Sequence, residues 1–206
     1  PSILEIGFGD GRILEILKKN LECNLFGFEQ DCSRYDIVSE FASIDIGDDI
    51  FKSRFSKMKF DVIYSVAVLE HVDNPREFIN GLSLMLNKKG LLILQFPNVE
   101  CFTSKLGILQ GYWDMLFEPG HLTLPSFKGI VSSLSSANLR ILSKKSCTIR
   151  SRGRIPLIAN RNDFIETRIR IILNKFPILS ILYCFIMDSL DHIFGGETIV
   201  ITAEKL

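Results

Sequence analysis

The chain is expected to fold as one α/β domain over residues 1–206, a doubly wound sheet with helices on both faces. Three observations lead there. Apolar strand-like runs alternate with stretches of helical spacing through the first hundred residues, which is the pattern of a parallel sheet built from βαβ units. A glycine-rich junction follows the first run. The 206 residues are 47% hydrophobic and 23% charged, enough apolar material for one substantial core.

The first element is Ile3-Leu4-Glu5-Ile6, an apolar run carrying one acid. Gly7, Gly9 and Gly11 follow at alternate positions, and then Arg12-Ile13-Leu14-Glu15-Ile16-Leu17 at helical spacing. Strand, tight loop and helix in that order bring bare backbone N–H groups and a helix start against a ligand, because glycine has no Cβ to hold the ligand away. A dinucleotide fingerprint needs G-x-G-x-x-G. Here its third glycine position is Arg12, with the glycine one residue early at Gly11, which disfavours a nicotinamide-dependent oxidoreductase. The second strand, Asn24 to Glu29, ends in an acid 18 residues after Gly11.

Residues 30 to 35 read as a short polar helix, and Phe41 to Ile46 as a third strand ending in an acid and a branched apolar residue, with Asp48 and Asp49 just beyond. Phe60-Asp61-Val62-Ile63-Tyr64-Ser65-Val66 is the clearest buried strand, β-rich and apolar as a central parallel strand must be. It leads into Leu69-Glu70-His71-Val72, after which Pro75 starts a helix whose Phe78, Leu82 and Leu86 keep helical spacing as far as Asn87-Lys88-Lys89-Gly90. Leu91 to Asn98 is the fifth strand. Residues 99 to 125 are rich in aromatics and glycine and poor in periodicity, as suits a substrate wall or lid. Ser126 reads as the N-cap of a helix to about Asn138, Leu139 to Ile149 as a sixth strand, and Glu197 to Lys205 as the last.

The E-x-G-x-G-x-G loop, Glu29, and the F-D-V-I and L-E-H-V segments in this order resemble the class I S-adenosylmethionine-dependent methyltransferases. The match is to the subgroup that includes ubiquinone-biosynthetic and sugar or small-molecule enzymes. The resemblance covers residues 3 to 138 and the last strand. It implies a Rossmann-like seven-stranded sheet, mostly parallel, with the last strand antiparallel between the fifth and sixth. It divides the domain into a cofactor half (1–98), a part with the substrate loop, sixth strand and helical insertion (99–195), and a closing strand (196–206). It implies S-adenosylmethionine as cofactor, contacted by Glu5, Gly7, Phe8, Gly9 and Gly11 of the loop and by Glu29 and Gln30, with Glu29 on the ribose diol. Asp45 and Ile46 would take the adenine, and Ser65 and Val66 the methionine part.

For methyl transfer to an oxygen, nitrogen or carbon of a small acceptor such as a sugar, quinone or lipid precursor, the protein supplies alignment and a base where a proton must leave. His121, on the expected substrate loop, and His71, after the fourth strand, are the candidate catalytic residues, and the plainer reading of each is a packing or capping histidine. His192 reads as a helix-end residue. Some relatives with the E-H pair use a divalent metal with a further carboxylate just before the pair. Those positions are Ala67 and Val68 here, so no metal is expected. A catalytically silent, methyltransferase-like binding or assembly domain is the alternative.

Net charge is zero, so no overall field draws the chain to nucleic acid. The five cysteines are scattered and form no C-x-x-C pair, which points away from a disulfide framework or zinc site and to a reducing compartment. With no secretory leader before the first strand, a cytoplasmic location is expected. Between positions 140 and 175 there are ten bases against two acids, followed by an apolar run of 12 residues (176–187), short of the ~20 that span a bilayer. Residues 150–187 are therefore either a solvated face with a packed helix or dimer seam, or a peripheral membrane or lipid-linked acceptor contact.

Overall fold

A computed structural model describes residues 1–31, 33–101, 104–105, 120–147, 193 and 195–206. Its strands form one seven-stranded sheet. In chain order the elements are β1 (Ser2–Ile6), α1 (Arg12–Asn20), β2 (Asn24–Glu29), α2 (Tyr35–Ser39), β3 (Ser43–Ile46), β4 (Phe60–Val66), α3 (Pro75–Met85), β5 (Leu86–Pro97), α4 (Phe127–Ser136), β6 (Leu139–Cys147) and β7 (Thr198–Lys205). The sheet order is β3-β2-β1-β4-β5-β7-β6. The pairs β1–β2, β1–β4, β2–β3 and β4–β5 are parallel, while β7 runs antiparallel to both β5 and β6. The expected architecture, including the inserted last strand, is the one observed.

Alternation along the strands gives each face its own core. Leu4, Ile6, Ile63, Leu92 and Leu94 point to one face, where Phe78, Ile79 and Leu82 of α3 and Ile130 and Leu134 of α4 cover them. Ile3, Leu25, Ile44 and Tyr64 point to the other, against Leu14 of α1 and Val38 of α2. Helix starts follow the capping rules. Asn74 accepts from the N–H groups of Arg76 and Glu77 ahead of Pro75, and the Ser126 hydroxyl accepts from Gly129 N–H at 3.1 Å.

Two boundaries differ from the sequence reading. The short helix expected at 30–35 forms instead at Tyr35–Ser39, and Ser33 gives its N–H and hydroxyl to the Asp31 carboxylate ahead of it. Leu86, expected as the last apolar position of α3, begins β5 and pairs with Phe60. Lys89 then adopts a left-handed φ of 63° where the register with β4 shifts, so helical spacing and strand pairing coincide at that one leucine.

Ser83, 1% exposed, ties three elements together. Its hydroxyl donates to Ala137 O at the end of α4 (2.6 Å) and accepts from Lys205 Nζ of β7 (2.7 Å). Ser83→Ala leaves a buried carbonyl and an ammonium short of a partner, and urea denaturation is expected to show a loss of about 1–3 kcal/mol.

Candidate functional site

The chain runs β1, β2, β3 outward on one side and then returns to place β4 on the other side of β1. At this reversal the loops leaving β1 and β4 diverge and open a crevice at the carboxyl ends of the strands, where open α/β sheets bind ligands. The cleft found there has a volume of about 930 Å³. Ile6, Gly7, Phe28, Glu29 and Gln30 line it from β1 and β2, and Asp48, Asp49, Ile50 and Phe51 from beyond β3. Val66, Ala67, Val68 and His71 line it after β4, and Asp73, Asn74, Glu77 and Phe78 from the start of α3.

The glycine loop is built as its spacing demands. Gly7, Gly9 and Gly11 all take left-handed φ values, of 75°, 52° and 76°. A Cβ on Gly7 or Gly11 would strike Val68 or Val38 at 2.4 Å, whereas one on Gly9 would meet nothing within 4 Å. Gly9 thus leaves bare backbone beside open space. Its N–H donates to Glu29 Oε2 at 2.8 Å, while Glu29 Oε1 accepts from Gln30 N–H at 2.7 Å. The carboxylate therefore spans from the end of β2 to the middle of the loop. It can accept from a vicinal diol brought to the same place.

Charge narrows what can enter. Glu29, Asp48, Asp49, Asp73 and Glu77 all line the cleft, and among the described residues that line it there is no Lys or Arg. Such a lining attracts a cation and repels a pyrophosphate, in line with the departure from the dinucleotide fingerprint at Arg12.

The other expected contacts divide. Val66 lines the cleft beside Gly7, Glu29 and Gln30. Ser65 is buried directly before it, with no hydrogen bond to its hydroxyl. Phe8 and Ile46 pack in the core on the α1 side. Asp45 turns its carboxylate to the N–H groups of Arg54 (2.8 Å) and Ile46 (3.1 Å), and its neighbours Asp48 and Asp49 are the acids on the cleft wall. Glu5 lies beneath the loop, 2% exposed, accepting from the Tyr64 hydroxyl at 2.7 Å. Burial pushes its carboxyl up to about 8, against the lowering effect of the Tyr64 bond. Glu5 thus supports the loop from below. Sequence reasoning missed Ala67, which holds a φ of 54° on the cleft wall, because a left-handed alanine leaves no trace in composition or periodicity.

The two histidines meet. Their rings lie 4.8 Å apart in an edge-to-face arrangement, with His71 exposed on the cleft wall and His121 half-buried beside it. Glu70 is buried next to them, and its Oε2 makes no hydrogen bond. Burial raises its carboxyl above the ordinary value, while the two imidazoles pull the other way. Glu70, His71 and His121 each bring a potential ligand atom within 4.8 Å of the others, the one place among the described residues where three such groups gather. The stretch after β4 is held by the segment that follows Gly120. Glu70 O accepts from Leu122 N–H (2.8 Å) and Thr123 N–H (3.1 Å).

Sheet order, glycine loop and a carboxylate at the end of β2 define the class, that of the S-adenosylmethionine-dependent methyltransferases of class I, whose cofactor is S-adenosylmethionine. The chain belongs to the methyltransferase-domain family, whose model matches residues 1–144. It is 30% identical over 131 residues to a highly reducing polyketide synthase of Aspergillus fumigatus, covering 54% of this chain and 5% of that one. It is 23% identical over 150 residues to the mitochondrial ubiquinone biosynthesis O-methyltransferase of Dictyostelium discoideum, covering 59% and 46%. The chain thus spans less than half the length of either relative. A crystal structure of an S-adenosylmethionine-dependent methyltransferase from Archaeoglobus fulgidus has the same fold, with a TM-score of 0.65 at 16% identity over 99% of this chain and 86% of that one.

The raised carboxyl of Glu5 makes stability depend on pH in a defined direction. The folded protein holds this proton more tightly than the unfolded chain, so stability is full below pH 4.5 and is lost as pH rises toward about 8. Glu5→Gln keeps an acceptor for Tyr64 and removes the titration. Paired urea melts from pH 5 to 9 are expected to show the variant gaining on the parent protein as pH rises, by at most ~5 kcal/mol.

Proposed function

We propose that the protein transfers a methyl group from S-adenosylmethionine to an oxygen, nitrogen or carbon of a small-molecule acceptor, a sugar, quinone or lipid precursor, with residues 1–206 acting as one unit. The observation that carries the reading is the Glu29 carboxylate set against Gly9 N–H at the mouth of an acidic cleft. Bound there, the cofactor would supply an activated methyl on a sulfonium. This chain's residues would do the rest. Glu29 would accept from the ribose hydroxyls while Gly9 lets the nucleoside close on the backbone, Asp48 and Asp49 would face the base, and the five acids would favour the cationic charge. His71, with His121 beside it, would take the proton that a hydroxyl or amine acceptor gives up as its new bond to carbon forms and the sulfur–carbon bond breaks. The O-methyltransferase relative supports an oxygen acceptor.

Residues 150–187, through which a lipid-linked acceptor or a membrane would be held, lie outside the described residues. Among those described, no helix is long and apolar enough to cross a membrane.

Titration calorimetry with S-adenosylhomocysteine tests the reading. The parent chain is expected to bind it and to give no heat with NAD, and Glu29→Ala is expected to bind at least tenfold more weakly, since one charge-assisted hydrogen bond contributes about 1.5–3 kcal/mol. Binding to NAD alone would overturn the assignment. Binding of the product cofactor without turnover on a panel of hydroxylated and aminated acceptors would favour the silent, assembly role.

We further propose that the reaction needs no metal, because Ala67 and Val68 stand where a further carboxylate would be required. Dialysis against a chelator is expected to leave turnover unchanged. Loss of turnover restored by magnesium or zinc would give Glu70, His71 and His121 to a cation instead.

A further inference from the structure

We propose that Gly120 is a positioning residue: its carbonyl fixes the hydrogen of His71 on Nδ1, leaving Nε2 as the basic nitrogen of a ring that lines the cleft. His71 Nδ1 lies 2.8 Å from Gly120 O. A carbonyl oxygen can only accept, so Nδ1 must donate, and in a neutral imidazole the other nitrogen then carries the lone pair. The choice of tautomer is the choice of which atom can receive a proton.

Glycine suits the position that makes this bond. Gly120 has a φ of 93°, in the left-handed region, and a Cβ built on it would fall 3.2 Å from His71 Nδ1 and 3.6 Å from Cε1. A side chain there would both strain the backbone and press on the ring at the atom being held. The carbonyl is itself anchored. Two residues on, Leu122 N–H and Thr123 N–H donate to Glu70 O at 2.8 and 3.1 Å, and the Thr123 hydroxyl reaches the carbonyls of Leu69 (3.4 Å) and Val72 (3.5 Å). Gly120 and His71 are therefore held by the same short stretch of backbone. The segment that carries His121 sets the tautomer of His71, and the two rings end up 4.8 Å apart.

The arrangement works like the orienting member of a catalytic triad, with a backbone carbonyl in place of a carboxylate. A nitrogen kept ready in this way suits an acceptor heteroatom that must lose a proton, a hydroxyl or an amine, more than a carbon nucleophile. The use of the proton rests on the methyl-transfer reading, but the tautomer does not and is measured without turnover.

Long-range nitrogen–proton NMR of protein labelled with ¹⁵N-histidine, at a pH where imidazole is neutral, reads the tautomer directly. The chain has three histidines, so replacing His121 and His192 one at a time assigns the spectrum. In the parent protein His71 is expected to show the Nδ1–H pattern. In Gly120→Ala it is expected to shift toward Nε2–H or a mixture, with the amide spectrum elsewhere preserved and S-adenosylhomocysteine affinity within twofold of the parent. Gly120→Asn, whose side chain tolerates the left-handed region, keeps the test available if the alanine variant fails to fold, and the same shift is expected. An Nε2–H pattern for His71 in the parent, or an unchanged Nδ1–H pattern in a folded Gly120 variant, would overturn the proposal. Loss of cofactor binding in the parent, with the tautomer as stated, would instead count against the methyl-transfer reading alone.

Discussion

The hydrogen bond from Gly9 N–H to the Glu29 carboxylate is the constraint on which the cleft depends. It joins the loop leaving β1 to the end of β2, beside the place where the sheet reverses its order between β1 and β4. Gly7 N–H donating to Phe28 O and Gly11 N–H donating to Phe8 O, both at 2.8 Å, hold the two ends of the loop, and the Glu29 bond holds its middle. The bond is available only because β1 and β2 are parallel and in register, Ile6 beside Phe28, so that loop and acid emerge side by side. Below the loop, Tyr64 of β4 donates to Glu5 of β1 and supports the same turn from inside. A buried carboxyl in that position is most stable protonated, so the cofactor loop rests on a neutral hydrogen-bonded pair.

A second consequence of the reversal is electrostatic. The acids of the cleft come from three separate stretches of chain, at Glu29, at Asp48 and Asp49, and at Asp73 and Glu77. Among the described lining residues there is no Lys or Arg to offset them, although the chain as a whole carries as many Lys and Arg as Asp and Glu. A neutral protein can thus present a strongly acidic crevice, and the sign of the crevice distinguishes a cationic nucleoside from a dinucleotide. On the far side of the cleft, the short stretch from Leu69 to Val72 is bound through its carbonyls to the segment carrying Gly120 to Thr123. The cleft wall at His71 and the segment that carries His121 are therefore one hydrogen-bonded unit.

The sequence by itself determined the sheet, the loop and the carboxylate. Strand alternation, glycine spacing and the acid 18 residues on are local patterns with local causes, and each was legible one stretch at a time. Pro75 marked the start of α3 for the same reason. What only the tertiary structure decided are the relations between distant stretches. The resemblance gives the adenine to Asp45, whose carboxylate accepts from the Arg54 N–H nine residues on, whereas Asp48 and Asp49 are the acids that line the cleft. His71 and His121 are 50 residues apart, and nothing in either neighbourhood announces that the rings touch or that the Gly120 carbonyl selects a nitrogen. Local propensity follows from one residue and its near neighbours, whereas a proton's position on a ring follows from whichever acceptor folding brings within 3 Å.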